Sequence, residues 1–144
     1  MSPGRVAVVV LLWPVLAASA EDMTRVALDV TASCERRATK GRVLCDVDLE
    51  AAEGRIAWAD AVVTEAPAFA PPLRSRVGIA DARSRTERRV RLPVAFVATA
   101  QGRGTIALRA RAVLCRAAPG APETCRPTVR DVSAEIVVGT NVEH

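Results

Sequence analysis

Four cysteines are the residues whose type and spacing could do chemistry in this sequence: Cys34, Cys45, Cys115 and Cys125. Each successive pair flanks one short connection, and the second connection reads RAAPGAPET. A cysteine thiolate attacks a disulfide and passes through a mixed disulfide, so a reactive pair would carry out thiol-disulfide exchange. The alternative is that both pairs are structural cross-links.

Other reactive arrangements are absent from the sequence. Its one histidine is His144, which argues against a serine or cysteine nucleophile with a histidine partner. The cysteines lack the two-residue spacing of a zinc ribbon. Gly102-Arg103-Gly104 is too short for a phosphate-binding loop. We therefore expect no metal and no cofactor, and a hydrolase is the least favoured class.

The first residues have the pattern of a secretory signal peptide. Arg5 precedes an apolar run over residues 6–16, and Ala18-Ser19-Ala20 forms a small-residue cleavage site. The run is shorter than the roughly 20 residues of a membrane span. We predict a signal peptide over residues 1–20 and one domain over residues 21–144. The mature chain would be periplasmic or secreted, without a membrane span, in a compartment where disulfides persist.

The charge pattern argues against nucleic-acid binding. Lys40 is the only lysine among the 20 Lys and Arg residues, and five arginines cluster within residues 83–91. Proteins that bind single strands combine basic groups with stacking aromatics. After the predicted signal peptide the aromatic residues are only Trp58, Phe69 and Phe96. We interpret the arginine cluster as a solvated strand face.

Apolar residues alternate with polar ones along most of the chain, which is the pattern of half-buried strands. The predicted strands cover residues 23–34, 43–50, 56–63, 77–79, 90–98, 106–115 and 125–138. About seven short strands with regular turns indicate an all-β, antiparallel, immunoglobulin-like sandwich. Pro93 within a strand predicts an edge position or a bulge.

The order Cys45, Trp58, Cys115 resembles the strand B cysteine, strand C tryptophan and strand F cysteine of antibody-type domains. The tyrosine expected two residues before the second cysteine is Val113 here. We expect Trp58 to anchor the core. Phe69, in a proline-rich segment, is expected to fold onto the body of the domain.

Two disulfide connectivities compete. Local pairing, Cys34 with Cys45 and Cys115 with Cys125, needs no long-range placement and is favoured. Each such bond would stabilise the fold by roughly 3 kcal/mol in the chain-entropy model. The competitor joins Cys45 to Cys115 between the two sheets, which leaves the other two cysteines to pair.

Residues 88–138 carry a resemblance to a known family. Its elements are Arg91-Leu92-Pro93-Val94, Gly104 opening the strand to Cys115, and Pro127 two residues beyond Cys125. This stretch resembles the second half of the N-terminal, immunoglobulin-like domain of the thiol-disulfide interchange protein DsbD.

The resemblance implies a module that exchanges reducing equivalents with a thioredoxin-like or membrane redox protein. Cys125 would form the mixed disulfide and Cys115 would resolve it. The adjacent Arg116 and Arg126 would lower their thiol pKa values, and Phe69 is the residue that could take the place of the family's aromatic cap.

A second hypothesis from another class remains open at this point. The chain could be a non-catalytic exported sandwich, a structural or protein-binding module with two structural disulfides. Thiol-disulfide exchange predicts that the bond between Cys115 and Cys125 is accessible and readily reduced while the bond between Cys34 and Cys45 resists. A structural module predicts that the two bonds are equally resistant.

Overall fold

The computed structural model describes residues 3–4, 9–11 and 27–140 of the chain. Most of the predicted signal peptide, the start of the first predicted strand and the final residues 141–144 lie outside the described residues. Among those described, no helix has the length and apolar character needed to cross a membrane.

The described chain is built almost entirely of strands. They are β1 (Leu28–Cys34), β2 (Gly41–Ala51), β3 (Arg55–Glu65), β4 (Arg76–Gly78), β5 (Ser84–Arg85), β6 (Arg89–Ala98), β7 (Gly102–Arg116) and β8 (Thr124–Val138). A single 3-10 turn, Ile79–Asp81, follows β4. The period-two pattern thus identified each main strand, and β5 is the one that it did not predict.

Two antiparallel sheets form the sandwich. The first has the order β1-β2-β6-β5 and the second the order β4-β3-β7-β8. Constant-type immunoglobulin domains have sheets ABED and CFG. β1, β2, β6 and β5 correspond to A, B, E and D, and β3, β7 and β8 to C, F and G. The prediction of an all-β, immunoglobulin-like sandwich is confirmed.

Side chains of one parity from each sheet fill the space between them. β2 and β6 contribute Val, Leu and Phe side chains, whereas β7 alternates larger residues with alanines. The largest wholly buried side chains include Phe96, Leu49, Leu92, Ile106, Leu108 and Ile136. Burying each aliphatic side chain of this size contributes roughly 1.5–3 kcal/mol, so this apolar layer is the main source of stability.

The outer face of the first sheet carries part of the arginine cluster, including Arg83 and Arg91. Arg91 bonds Asp48 at 2.8 Å and Arg83 bonds Asp46 at 3.1 Å, both across neighbouring segments. Arg88 instead donates to the carbonyl of Ala51 at 3.1 Å. Exposed pairs of this kind each contribute little to stability.

Pro93 lies in β6 where its missing N–H is needed by no neighbour. β5 pairs with β6 as far as Arg91, and residues 69–73 cover the same edge from Ala95 onward through the bond from the Leu73 N–H to the Ala95 carbonyl. Pro93 therefore occupies the gap between two short covering segments, a position compatible with the expected edge character.

Phe69 folds onto the body of the domain, which confirms its prediction. It is partly buried against the core. A Cβ added to Gly102 would lie 3.0 Å from its ring, so the first residues of β7 pass directly beneath Phe69. A side chain at position 102 would require the Phe69 ring to shift by a few tenths of an ångström.

Trp58 does not lie in the core, and the prediction that it anchors the core is wrong. The register of β3 against β7 shifts between Ile56, opposite Leu114, and Trp58, opposite Val113. Ala57 is the extra residue of this bulge, and a bulge reverses the faces of the residues that follow it. Trp58 is consequently half-buried on the outer face of the second sheet.

Gly54 allows the β2–β3 turn to approach the end of β7. Its φ is +75°, and an added Cβ would lie 2.3 Å from the carbonyl oxygen of Cys115. Gly120 has a similar φ of +76° but has nothing within 4 Å of that position. The two glycines thus differ in contact and not in backbone conformation.

We therefore predict that Gly54→Ala destabilises the protein more than Gly120→Ala does. A positive φ in a non-glycine residue costs about 1–3 kcal/mol, and only Gly54→Ala adds a clash with backbone. Urea unfolding of both variants measures the difference. Equal losses of unfolding free energy would show that the turn does not lie against Cys115 as described.

Candidate functional site

Both disulfides join residues that face each other directly on neighbouring antiparallel strands. Cys34 lies opposite Cys45 with their Cα atoms 3.9 Å apart, and Cys115 lies opposite Cys125 with theirs 4.0 Å apart. The favoured local connectivity is confirmed. The competing bond between Cys45 and Cys115 is wrong because Cys45 points into the core whereas Cys115 has the parity of the outer face of its sheet.

The two bonds differ in their exposure to solvent. Cys45 is wholly buried and Cys34 is half-buried. Cys115 is 1% exposed, whereas Cys125 is exposed to solvent. An attacking thiolate needs access to a sulfur atom. Cys125 is therefore the cysteine at which exchange could begin.

The hairpin between β7 and β8 places Cys125 near the turn end of a long ladder of paired residues. Fifteen residue pairs join the two strands, and the disulfide is one pair from the turn end. Gly120, with its positive φ, and the bond from the Ala121 N–H to the Ala118 carbonyl shape the connection. The exposed loop of residues 117–123 thus closes the hairpin without adding to the core.

Charged groups beside the disulfide come from two other segments. Arg55 lies opposite Cys115 in β3, and its guanidinium bonds the Glu123 carboxylate at 2.6 Å. That hydrogen bond holds the pKa of Glu123 below its usual range. One Glu123 oxygen is 3.9 Å from the Cys125 sulfur. The sulfur therefore faces an ion pair and not an isolated charge.

The arginines adjacent to the cysteines in sequence do not lie on the cysteine face. Arg116 and Arg126 have the opposite parity on their strands, and Arg116 bonds Glu53 at 2.5 Å. The expectation that these two lower the thiol pKa values is not supported by this geometry. Sequence reasoning missed Arg55, because only strand pairing brings it opposite Cys115.

Phe69 cannot cap this disulfide. It covers Gly102 at the start of β7, whereas Cys115 is near the end of the same strand, about 40 Å away at about 3.3 Å per residue. The aromatic residue near the disulfide is Trp58, opposite Val113 and one row along the same outer face. The idea that Phe69 replaces the family's cap is wrong.

Trp58 belongs to a polar cluster that sequence reasoning also missed. The guanidinium carbons of Arg76 and Arg111 lie 6.0 and 5.7 Å from the centre of its ring. Both arginines bond Asp60, Arg76 at 2.6 Å and Arg111 through two contacts. The signal available in the sequence was an aspartate within the apolar run of β3.

Asp60 is wholly buried although it lies on the outer face. Burial raises the pKa of its carboxyl, but the hydrogen bonds from Arg111 and Arg76 outweigh burial and hold the pKa below the ordinary value of 3.8. The carboxylate is thus charged and fully paired. We interpret the cluster as structural support for Trp58 and the outer face.

One group of residues has the composition of a metal site. The sulfurs of Cys115 and Cys125 and a Glu123 oxygen lie within 4.8 Å of one another. Cysteine binds metal as a thiolate, and both sulfurs are bonded to each other. The oxidised protein therefore offers a disulfide here and not a set of metal ligands.

Comparison with known proteins gives no family for the chain. No family model, no curated protein and no solved structure matches it. The resemblance to the DsbD domain accordingly stays a prediction, and the geometry of the disulfide has to carry the functional argument.

We predict that Asp60→Asn lowers the free energy of unfolding at pH 7 by about 1.5–3 kcal/mol, the usual contribution of hydrogen bonds to charged groups. Because the pKa of Asp60 is lowered in the folded protein, its carboxylate stabilises the fold above pH 3.8. That contribution is lost as the pH falls below 3.8 and through the folded-state pKa. The difference from the parent should therefore shrink in acid.

Asp131→Asn is the matched control, since Asp131 bonds Arg109 at 2.9 Å but its side chain is 71% exposed. This variant should change the unfolding free energy by no more than about 0.5 kcal/mol. Urea unfolding between pH 7 and pH 3 measures both. Equal losses in the two variants would contradict the assignment of Asp60 as a buried, doubly bonded carboxylate.

Proposed function

We propose that the chain exchanges disulfides with a thioredoxin-like or membrane redox protein through Cys115 and Cys125. The observation that carries this proposal is the asymmetry of the bond, which joins an exposed residue, Cys125, to a buried one, Cys115. Exchange needs one sulfur that a partner can reach and a second that resolves the intermediate. The DsbD resemblance assigned the same two roles to the same residues.

In the reductive direction, a partner thiolate attacks the Cys125 sulfur. The bond between Cys115 and Cys125 breaks, a bond between Cys125 and the partner forms, and Cys115 leaves as a thiolate that takes up a proton. The partner's second thiolate then attacks the partner's first sulfur, which is bonded to Cys125 in the mixed disulfide. Cys125 leaves as a thiolate and is protonated, so two electrons pass from the partner dithiol to this chain.

In the oxidative direction, the Cys125 thiolate attacks the disulfide of a second partner. The partner disulfide breaks, a bond between Cys125 and the partner forms, and the partner's other sulfur leaves as a thiolate. Cys115, held beside Cys125 by the β7–β8 ladder, loses its proton and attacks the Cys125 sulfur. The bond to the partner breaks, the bond between Cys115 and Cys125 forms, and the partner leaves as a dithiol after its two thiolates take up protons. Direct pairing of the two residues keeps them in position for this step. The negative carboxylate of the neighbouring Glu123 disfavours a thiolate on Cys125. Arg55 offsets that effect because it bonds the carboxylate.

The proposal predicts an order of reduction. In a glutathione redox series, Cys115 and Cys125 should become alkylatable together well above about −300 mV, the value below which structural bonds usually lie. Cys34 and Cys45 should stay bonded at the same potentials. Mass spectrometry of the alkylated peptides assigns each pair. If both pairs stay closed to below that value, the hairpin bond is a staple and the proposal fails.

A second prediction separates the roles of the two cysteines. The single thiol left in Cys115→Ser should react with an aromatic disulfide reagent at least about tenfold faster than the thiol left in Cys125→Ser, because only Cys125 is exposed. The double serine variant is the control and should not react, since its remaining cysteines are bonded to each other. Equal rates would contradict the assignment of Cys125 as the attacking residue.

A further inference from the structure

The second sheet ends in β8, whose outer edge carries unpaired backbone groups. β8 pairs only with β7, and β1 packs alongside it without pairing. Residues 125–133, called here the β8 edge, form no backbone hydrogen bond on their other side within the described chain. Free edges offer a row of N–H and C=O groups to another strand. The β8 edge is therefore a potential site of strand addition.

The parity of the outward backbone groups is visible where the chain uses the same edge itself. The Arg37 N–H donates to the Val137 carbonyl at 3.3 Å, and the Gly139 N–H donates to the Arg37 carbonyl at 2.8 Å. Odd-numbered residues thus direct their backbone groups outward. By the period of two, Cys125, Val129, Asp131 and Ser133 do the same. Pro127 has the same parity and offers only its carbonyl.

The β8 edge is cationic on one face. Arg126 and Arg130 share a face with Thr128 between them, and both are exposed. Among the described residues, neither has a carboxylate within ion-pair distance. Arg130 reaches back to donate to the Val129 carbonyl at 2.9 Å. One outward acceptor is thus occupied by the chain's own cation.

The opposite face of the same edge is apolar near its start. Val129 is 49% exposed, and Pro127 beside it is exposed. Val113 and half-buried Trp58 continue this surface inward across the sheet. A strand placed against the β8 edge would meet Arg126 and Arg130 on one side. On the other side it would meet Pro127 and Val129, with Arg111 opposite Val129 in β7 and Asp131 next along the edge.

We propose that the β8 edge binds an extended peptide segment in which acidic and apolar side chains alternate. Backbone hydrogen bonds would extend the second sheet by one strand, the acidic side chains would face Arg126 and Arg130, and the apolar ones would face Val129 and Pro127. This is recognition by strand addition. A second copy of the chain fits less well, because it would present another cationic edge.

This inference is independent of the redox proposal. A probe without cysteine tests it, so binding can fail while the disulfide remains reactive, and the disulfide can be inert while the peptide binds. The probe is a fluorescein-labelled peptide of about seven alternating glutamates and valines, near the length of a typical strand. Fluorescence anisotropy with the mature protein at low salt gives the dissociation constant.

The expected result is binding at least about tenfold tighter than that of the same peptide with lysine in place of glutamate, a difference that weakens as salt screens the charges. Arg126→Gln combined with Arg130→Gln should remove this preference. Val129→Pro should weaken binding at least about fivefold because it deletes an outward N–H that β7 does not use. Its melting temperature serves as the folding control.

A peptide methylated on alternate backbone nitrogens keeps every charge and leaves the protein unchanged. Loss of binding with the peptide in which the N–H groups that would face β8 are methylated supports strand addition. The proposal is overturned if all methylated peptides bind as well as the parent peptide, which would show association by charge alone. It is equally overturned if the glutamate peptide does not bind at millimolar concentration, or if sedimentation shows that the protein pairs with itself through this edge.

Discussion

The pairing register of β7 with β8 is the constraint on which the rest of the site depends. It places Cys115 opposite Cys125, gives both the parity of the outer face, and leaves the odd-numbered backbone groups of β8 directed outward. A shift by one residue would move every side chain of β8 to the other face. The disulfide is compatible with this register, in which Cys115 and Cys125 are direct partners.

Exposure and burial at this disulfide come from the architecture of the sandwich. The hairpin is anchored by Leu114 and Ile56, which are buried, while residues 116–127 are exposed. The turn at Gly54 lies against the Cys115 backbone, and among the described residues no comparable turn lies against Cys125. Cys125 is exposed and Cys115 is buried.

Strand existence and fold class could be predicted from the sequence because burial on one face imposes a period of two that survives in β2, β6 and β7. The disulfide pairing could also be predicted from the sequence, since cysteines that flank one short connection meet when the strands pair. Trp58 could not be placed. Its face depends on a one-residue bulge at Ala57, and the sequence gives no glycine or proline there to mark it. The contact between Arg55 and Glu123 could not be predicted either, because the two residues are 68 positions apart in the sequence.

A disulfide that cycles between oxidised and reduced forms has to be dispensable for the fold, and the two bonds differ in this respect. β1 is an edge strand of seven residues, and its bond to Cys45 reaches the buried layer of the first sheet. β7 and β8 are held by fifteen residue pairs, by Ile106, Leu108 and Ile136 in the core, and by outer-face ion pairs. The two disulfides close loops of similar length, with sequence separations of 11 and 10, so opening either one removes about 3 kcal/mol of chain-entropy stabilisation. The difference between them lies in the other contacts that hold their strands. The hairpin can therefore lose its cross-link while its register, and with it the proximity of the two sulfurs needed for reoxidation, is retained.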